Sequence, residues 1–318
     1  MTKISVVIPV YKSENSLHEL YRRLKASMAP FDNDYEIILV EDDGMDRSWD
    51  IILELSKMDT RVKGLRLSRN FGQHNALLCG IRMAQGEVIV TMDDDLQHPP
   101  EEIPKLLDKL AEGYDVVYGT PLQTQHGFWR GIASSITKLA LQSTMGAKIA
   151  RKVSAFRAFR TRLRDAFINY QSPFVSIDVL LTWGTTRFAA IPIQHHPRQG
   201  GESHYTFRKL VLHALNMMTG FSILPLQFAS LIGFVFTLFG LAVLLFIVGG
   251  YMIHGSSVPG FPFLASVIAI FSGAQLFALG IIGEYLARMH FRSMEKPPYI
   301  IRSRSKEEEE RFSERKGL

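Results

Sequence analysis

Between Leu226 and Ile282 the chain carries no aspartate, glutamate, lysine or arginine, and His254 is the one basic side chain. At about 1.5 Å per residue, a helix covers about 42 Å over Leu226 to Ile253 and about 33 Å over Phe261 to Ile282, and both lengths exceed the ~30 Å hydrocarbon core of a bilayer. The linker His254-Gly255-Ser256-Ser257-Val258-Pro259-Gly260 is short. The two segments, 226–253 and 261–286 within a region 226–287, are therefore expected as an antiparallel transmembrane hairpin, not as core helices of a soluble domain. Arg208 and Lys209 precede the hairpin, Arg288, Arg292 and Lys296 follow it, and its loop has neither lysine nor arginine. This asymmetry predicts an integral inner-membrane protein with both termini cytoplasmic. At the N-terminus, Met1-Thr2-Lys3 leads into Ile4-Ser5-Val6-Val7-Ile8-Pro9-Val10, too short and too β-branched for a signal peptide.

Upstream of the hairpin, apolar runs alternate with helical periods. Ile4 to Val10 reads as a buried strand, with Pro9 marking the exit from the sheet. Ser16 and Glu19 have capping-box spacing, and Leu17, Leu20, Tyr21 and Leu24 recur on one helical face. Glu36 to Val40, Val62 to Leu67 and Val88 to Met92 repeat the strand signal. Helices are expected over Ser48 to Lys57, over Gln73 to Ala84, and from Pro99-Pro100-Glu101-Glu102 onward. Such alternation predicts an α/β domain, residues 1–205, with a mostly parallel sheet, helices on both faces and ligands outside the carboxyl ends of the strands. Beyond Tyr118 the pattern weakens, with one further strand over Phe188 to Ile193. Residues 206–225 include an amphipathic stretch, Phe207 to Met218, expected at the bilayer interface. The cytoplasmic tail, 288–318, ends in Arg302 to Leu318, expected as a solvated helix or disordered.

Composition narrows the function. A net charge of +5, with no lysine/arginine stripe, argues against a nucleic-acid partner. The single Cys79 excludes an intramolecular disulfide and a cysteine-rich zinc site, and fits a reducing compartment.

The chemistry-bearing residues gather at the predicted strand ends. Asp93, Asp94 and Asp95 repel one another unless a cation or hydrogen-bond donors neutralise them. If the strand conformation continues, Asp93, Asp95 and Gln97 point one way and Asp94 the other, into solvent or a helix terminus. Oxygen ligands so arranged suit Mg2+ or Mn2+, which keep one or two protein carboxylates and fill the other positions with phosphate and water. His195 and His196, consecutive on a strand, face opposite ways and make a poor metal pair.

Taken in order, Pro9-Val10-Tyr11, Glu41-Asp42-Asp43-Gly44-Met45-Asp46, Ser68-Arg69-Asn70-Phe71-Gly72 and Asp93-Asp94-Asp95-Leu96-Gln97 follow the four predicted strands. In order and spacing they resemble glycosyltransferase family 2. The likeness covers most of the chain, paired spans included, and is greatest to the polyprenyl-phosphate glycosyltransferases, the group containing dolichyl-phosphate mannose synthase. It implies a GT-A-like nucleotide-diphospho-sugar transferase domain. Pro9, Tyr11, Glu14, Glu41 and Asp42 would lie at the nucleobase and ribose, although Glu41 departs from the commoner aspartate. Arg69 and Gly72 would lie along the diphosphate, Asp93 and Asp94 at the nucleotide sugar, and Asp93, Asp95 and Gln97 at Mg2+ or Mn2+. Asp95, with Arg198 and Arg157, would be catalytic.

The same resemblance assigns Arg198-Gln199-Gly200-Gly201-Glu202-Ser203-His204-Tyr205 to a mobile acceptor loop. Arg198 would balance charge on the departing diphosphate, and Arg130, Arg157, Ser203 and His204 would meet the acceptor phosphate. Many relatives carry an aspartate, a candidate base, before the Phe-Arg pair, whereas Ala155 precedes Phe156-Arg157 here. A lipid phosphate, with a second pKa near ~6, is largely ionised at neutral pH and attacks without a base. The implied reaction is inverting transfer of one sugar from a nucleotide-diphosphate donor, UDP-linked, to an undecaprenyl or dolichyl phosphate at the cytoplasmic membrane face. The alternatives are a membrane polysaccharide synthase, which would need an acceptor motif of the Gln-x-x-Arg-Trp kind, and a non-catalytic scaffold that binds nucleotide sugar. Gly233, Gly240, Gly273 and Gly280 leave room for close helix packing within or between chains, so a homo-oligomer is among the expectations. The sugar is not legible.

Overall fold

The structure is a computed structural model and describes residues 3–31, 34–121, 152–194, 224–254 and 260–306. The chain divides into two compact units, Met1–Leu210 with Glu295–Leu318, and Val211–Met294.

The first unit is built on one sheet. Its strands are β1 (Ile4–Val10), β2 (Tyr35–Glu41), β3 (Val62–Leu67), β4 (Val88–Thr91), β5 (Val116–Pro121), β6 (Arg157–Arg160), β7 (Phe188–Ile193) and β8 (Ile301–Arg304). The spatial order is β7-β5-β6-β4-β1-β2-β3-β8. The pairs β4-β1, β1-β2, β2-β3 and β5-β7 are parallel, while β6 and β8 run antiparallel to their neighbours. Every residue of β1 and β2 is buried, as central strands covered on both faces require. Around the sheet lie α1 (Leu17–Met28), α2 (Ser48–Met58), α3 (Gln73–Met83), α4 (Ile103–Ala111) and the short α5 (Ile177–Thr182). The apolar face of α1 buries Leu17, Leu20, Leu24 and Met28, each contributing about 2 kcal/mol of transfer free energy.

The expected α/β alternation and the strand over Phe188 to Ile193 are present. Three local expectations are corrected. The capping box does not form: the Ser16 hydroxyl donates to the Ser13 carbonyl at 3.2 Å, and Glu19 binds Arg22 instead of reaching back. Beyond Tyr118 the sheet gains β6, whose charged ends hid its strand character. The start of the tail does not remain outside the fold, while residues 307–318 lie outside the described residues. Residues Ile301–Arg304 add to the edge of β3, Ser305 is fully buried, and its hydroxyl accepts the Gly64 N–H at 3.1 Å.

The second unit contains α6 (Leu224–His254) and α7 (Phe261–Ser293), 31 and 33 residues long. Each holds a window apolar and long enough to cross a membrane, Leu226–Gly250 with mean hydropathy 2.9 and Ile270–Ala287 with 1.4. The rings of Phe236 and Phe271 meet edge to face at 5.8 Å. Of the four glycines expected at close contacts, only Gly240 approaches the neighbouring helix, where an added Cβ would fall 2.8 Å from the Phe271 ring. Space is open around Gly233, Gly273 and Gly280.

Candidate donor site at the sheet's carboxyl edge

The loops after β1, β2, β3 and β4 each contain a left-handed residue: Lys12 (φ 56°), Asp43 (φ 52°) and Met45 (φ 58°), Gly72 (φ 95°), and Leu96 (φ 59°). For a non-glycine residue that conformation costs about 1 kcal/mol or more, and it persists only where the surroundings fix it. What fixes these loops is a set of carboxylates.

Asp42, at the end of β2, accepts the Phe71 and Gly72 amides at 2.7 and 2.8 Å, tying the loop that carries Arg69 to the second strand. Glycine at position 72 makes this possible, since its φ lies where side chains are disfavoured. Glu41 accepts the Gly44 amide at 2.6 Å and faces Arg66 at 3.1 Å. Gly44 in turn lies so close to the Lys12 amide nitrogen that a Cβ would come within 2.7 Å. Burial pushes the Asp42 carboxyl up to about 6 against the pull of its two amides. Burial also raises Glu41, opposed by the Gly44 amide and Arg66. Both carboxylates, expected to face a base and ribose, thus hold loops. Pro9 is buried within β1. Glu14 accepts the Arg47 amide at 3.0 Å. Tyr11, 47% exposed, and Arg69, whose guanidinium lies 4.7 Å over the Phe71 ring, are open to a ligand.

The acidic loop departs most from expectation. β4 ends at Thr91, and the left-handed turn at Leu96 breaks the alternation read from the sequence. Asp94 does not face away. Its carboxylate accepts the Tyr11 amide at 3.1 Å and the Ser13 hydroxyl, joining the loop to the end of β1. Burial lifts it to about 6, opposed by those two bonds and reinforced by the charge of Asp95. Asp94 therefore anchors the loop to the end of β1. Asp93 accepts the Gln73 amide group at 2.5 Å, and Asp95 accepts the Gln97 backbone N–H at 3.1 Å. Among the described residues no three acidic, histidine or cysteine side chains form a closed metal cage. Two carboxylates on one short loop nevertheless fit a hard divalent ion that draws its remaining ligands from a diphosphate and water.

Arg157 is also corrected. Expected at an acceptor phosphate, it is only 1% exposed, ion-paired with Asp178 and donating from Nε to the Thr91 hydroxyl at 3.0 Å. The missing carboxylate at Ala155 leaves a backbone role, since the Ala155 carbonyl accepts the Thr91 hydroxyl at 2.8 Å. Arg130, Arg198, Ser203 and His204 lie outside the described residues, as do His195 and His196. Sequence reasoning missed Ser13, Gln73, Thr91 and Asp178. Gln73 alone carried a signal, as the first helical residue after the Gly72 turn; the others look like ordinary core or loop positions.

Residues 5–171 match the family model described as Glycosyl transferase family 2. Among solved structures, the chain is similar to glucosyl-3-phosphoglycerate synthase from Mycobacterium tuberculosis in complex with Mn2+, UDP and glucosyl-3-phosphoglycerate. Identity is 16%, TM-score 0.50, and the match covers 69% of this chain and 78% of that one. The same enzyme with Mn2+, UDP-glucose and phosphoglyceric acid matches at TM-score 0.51 and 16% identity, over the same shares of the two chains. These likenesses establish a GT-A-like fold.

Proposed function

The chain belongs to glycosyl transferase family 2, and on that premise we propose that it moves one sugar from a UDP-linked donor to a polyprenyl phosphate at the cytoplasmic face of a membrane. The observation that carries this reading is the pairing, in one chain, of an anchored acidic loop at the carboxyl edge of a GT-A-like sheet with two membrane-length helices. Similar structures were solved with Mn2+ and UDP, which supports a uridine donor and a divalent ion. Tyr11 and Arg69 would contact the nucleotide, while Glu41, Asp42 and Asp94 shape its floor by holding loops in place. Asp93 and Asp95 would hold Mg2+ or Mn2+, with Gln97 beside them. Such an ion offsets the charge that gathers on a departing diphosphate.

In the proposed reaction an ionised lipid-phosphate oxygen attacks C1 of the sugar as the C1–O bond to UDP breaks. The electron pair leaves on UDP and the anomeric configuration inverts. No carboxylate base is required, which accommodates Ala155. Arg130, Arg198, Ser203 and His204 are assigned to the acceptor and leaving-group phosphates. Residues on both sides of the two-helix unit belong to the α/β unit, so an inserted hairpin would return the chain to the side it left, as the flanking charges also favour.

Purified full-length protein, Mn2+, a panel of UDP-sugars and a short-chain polyprenyl phosphate test this reading. Transfer to the lipid phosphate is expected, and Asp95→Ala should abolish it while thermal unfolding stays cooperative. Undiminished transfer by Asp95→Ala would sink the mechanism. Transfer to phosphoglyceric acid but not to lipid phosphate would instead assign the acceptor seen in the similar structures.

A further inference from the structure

The acidic loop stands on a buried charge pair that the transfer reaction does not use directly. At one end, Thr91, two residues before Asp93, receives a hydrogen bond from Arg157 Nε at 3.0 Å. At the other, the His98 ring stacks on Phe156 with centroids 5.5 Å apart. Both feet of the loop therefore rest on the dipeptide Phe156-Arg157. Arg157 is fixed from behind by Asp178 on α5, whose Oδ1 also accepts the Tyr118 hydroxyl at 3.1 Å. Thr91, Tyr118 and Arg157 are at most 1% exposed and Asp178 is 9% exposed. A buried ion pair of this kind is a weak source of stability compared with an apolar pair of the same volume, so stability alone does not account for its place beneath the loop.

We propose that Asp178 is a positioning residue for the metal–diphosphate site: it neutralises Arg157, so that the guanidinium holds the acidic loop by hydrogen bonding without adding a net positive charge below Asp93. The proposal rests on the donor-site reading above. Burial opposes the charge on Arg157, while Asp178 foremost and Asp93 among others favour it, so the acidic loop and the pair interact electrostatically. Without the Asp178 carboxylate, the arginine charge faces the loop uncompensated in a poorly screened interior, where it competes with a bound cation. The relevant neutrality is that of the pair, not of either residue.

The test is binding of Mn2+ in the presence of UDP, read by electron paramagnetic resonance of free Mn2+ on full-length protein in detergent, with metal-free thermal unfolding as the control for folding. Asp178→Asn should weaken Mn2+ binding by about tenfold, the size expected of one uncompensated nearby charge. The double variant Arg157→Met/Asp178→Leu removes the uncompensated charge together with the hydrogen bond to Thr91, and should bind Mn2+ more tightly than Asp178→Asn but more weakly than wild type. Should Asp178→Asn fail to fold, Asp178→Ser, which removes the same charge with a smaller side chain, takes its place with a loss of the same size expected. Wild-type affinity in the single variant overturns the proposal. Equal loss in single and double variants does so too, because it assigns the pair to folding alone. Wild-type protein that binds neither Mn2+ nor UDP breaks the donor-site reading itself, and the inference falls with it.

Discussion

Carboxylates at the two ends of the central strands are held in different ways, Glu36 by a lysine and Asp42 and Asp94 by hydrogen bonds. At the amino edge, Glu36 on β2 accepts the Ser5 hydroxyl at 2.5 Å and the Gln85 amide at 2.6 Å and is ion-paired with Lys63 on β3, and Ser5 in turn accepts the Gly86 amide at 2.8 Å. Glu36 and Lys63 are both nearly fully buried. A buried base answers the buried acid. At the carboxyl edge, Asp42 and Asp94 meet, among the described residues, amides and a hydroxyl, and burial pushes both up to about 6. Hydrogen bonds position those carboxylates without cancelling their charge. A buried acid with its own lysine braces a fold, whereas buried acids without a cation make a site that attracts one.

A substitution at each edge should separate the two cases most sharply. Asp93→Ala is expected to lower kcat/KM for the UDP-sugar by about 100-fold or more with little loss of folding, as removal of an electrostatic contact to a developing charge does. Glu36→Gln should act in reverse, with kcat/KM kept within about threefold but stability lowered by about 3 kcal/mol, because buried Lys63 loses its ion pair with Glu36. Denaturation midpoints and initial rates measured on both variants check the pair. A large activity loss in Glu36→Gln with unchanged stability would break the distinction.

The next effect is in pH. A carboxyl whose folded pKa lies near 6, against 3.8 for the free group, binds more protons in the folded state between those values, so its contribution to stability falls as pH rises through that window. Asp94→Asn removes one such group and keeps an acceptor for Tyr11 and Ser13. Without metal, the unfolding temperature of Asp94→Asn relative to wild type should rise between pH 4 and pH 6 and level off above. Added Mn2+ should narrow that gap by stabilising the wild-type site. The opposite sign, with wild type gaining on the variant as pH rises, would place Asp94 among the neutralised carboxylates of the amino edge.

The carboxyl edge was legible in outline. Apolar runs of Ile4 to Val10, Val62 to Leu67 and Val88 to Met92 announced parallel strands, and the acidic residues after them announced where a ligand sits. The direction of each carboxylate was not legible, because it depends on left-handed turns at Asp43, Met45 and Leu96, and neither methionine nor leucine favours that conformation. One such turn sends Asp94 inward to Ser13. Arg157 was misassigned for a related reason. Charge in a sequence suggests exposure, and only the antiparallel register of β6 on β4, with Thr91 opposite Arg157, brings it under the loop. Its partner Asp178 stands in a stretch with no motif.

The smallest expected effect concerns the strand that sequence reasoning placed outside the fold. Ile301-Arg302-Ser303-Arg304 has the alternation of a strand but only one apolar side chain, so its signal comes from the edge it covers, not from its own composition. Ser305 extends that edge, its backbone N–H donating to the Gly64 carbonyl at 2.9 Å while its hydroxyl accepts the Gly64 N–H. Ser305→Ala should cost about 1 kcal/mol, the net worth of one hydrogen bond with a buried donor left unmet. It should leave Mn2+ and UDP binding unchanged, since Gly64 lies toward the amino end of β3, away from the Asp42 and acidic loops. A lowered denaturation midpoint with wild-type nucleotide affinity would assign the returning tail to the brace. Weakened UDP binding would show instead that the chain beyond α7 reaches the carboxyl edge through α3, where Tyr299 contacts Cys79 and stacks with Arg82 on the helix that also carries Gln73.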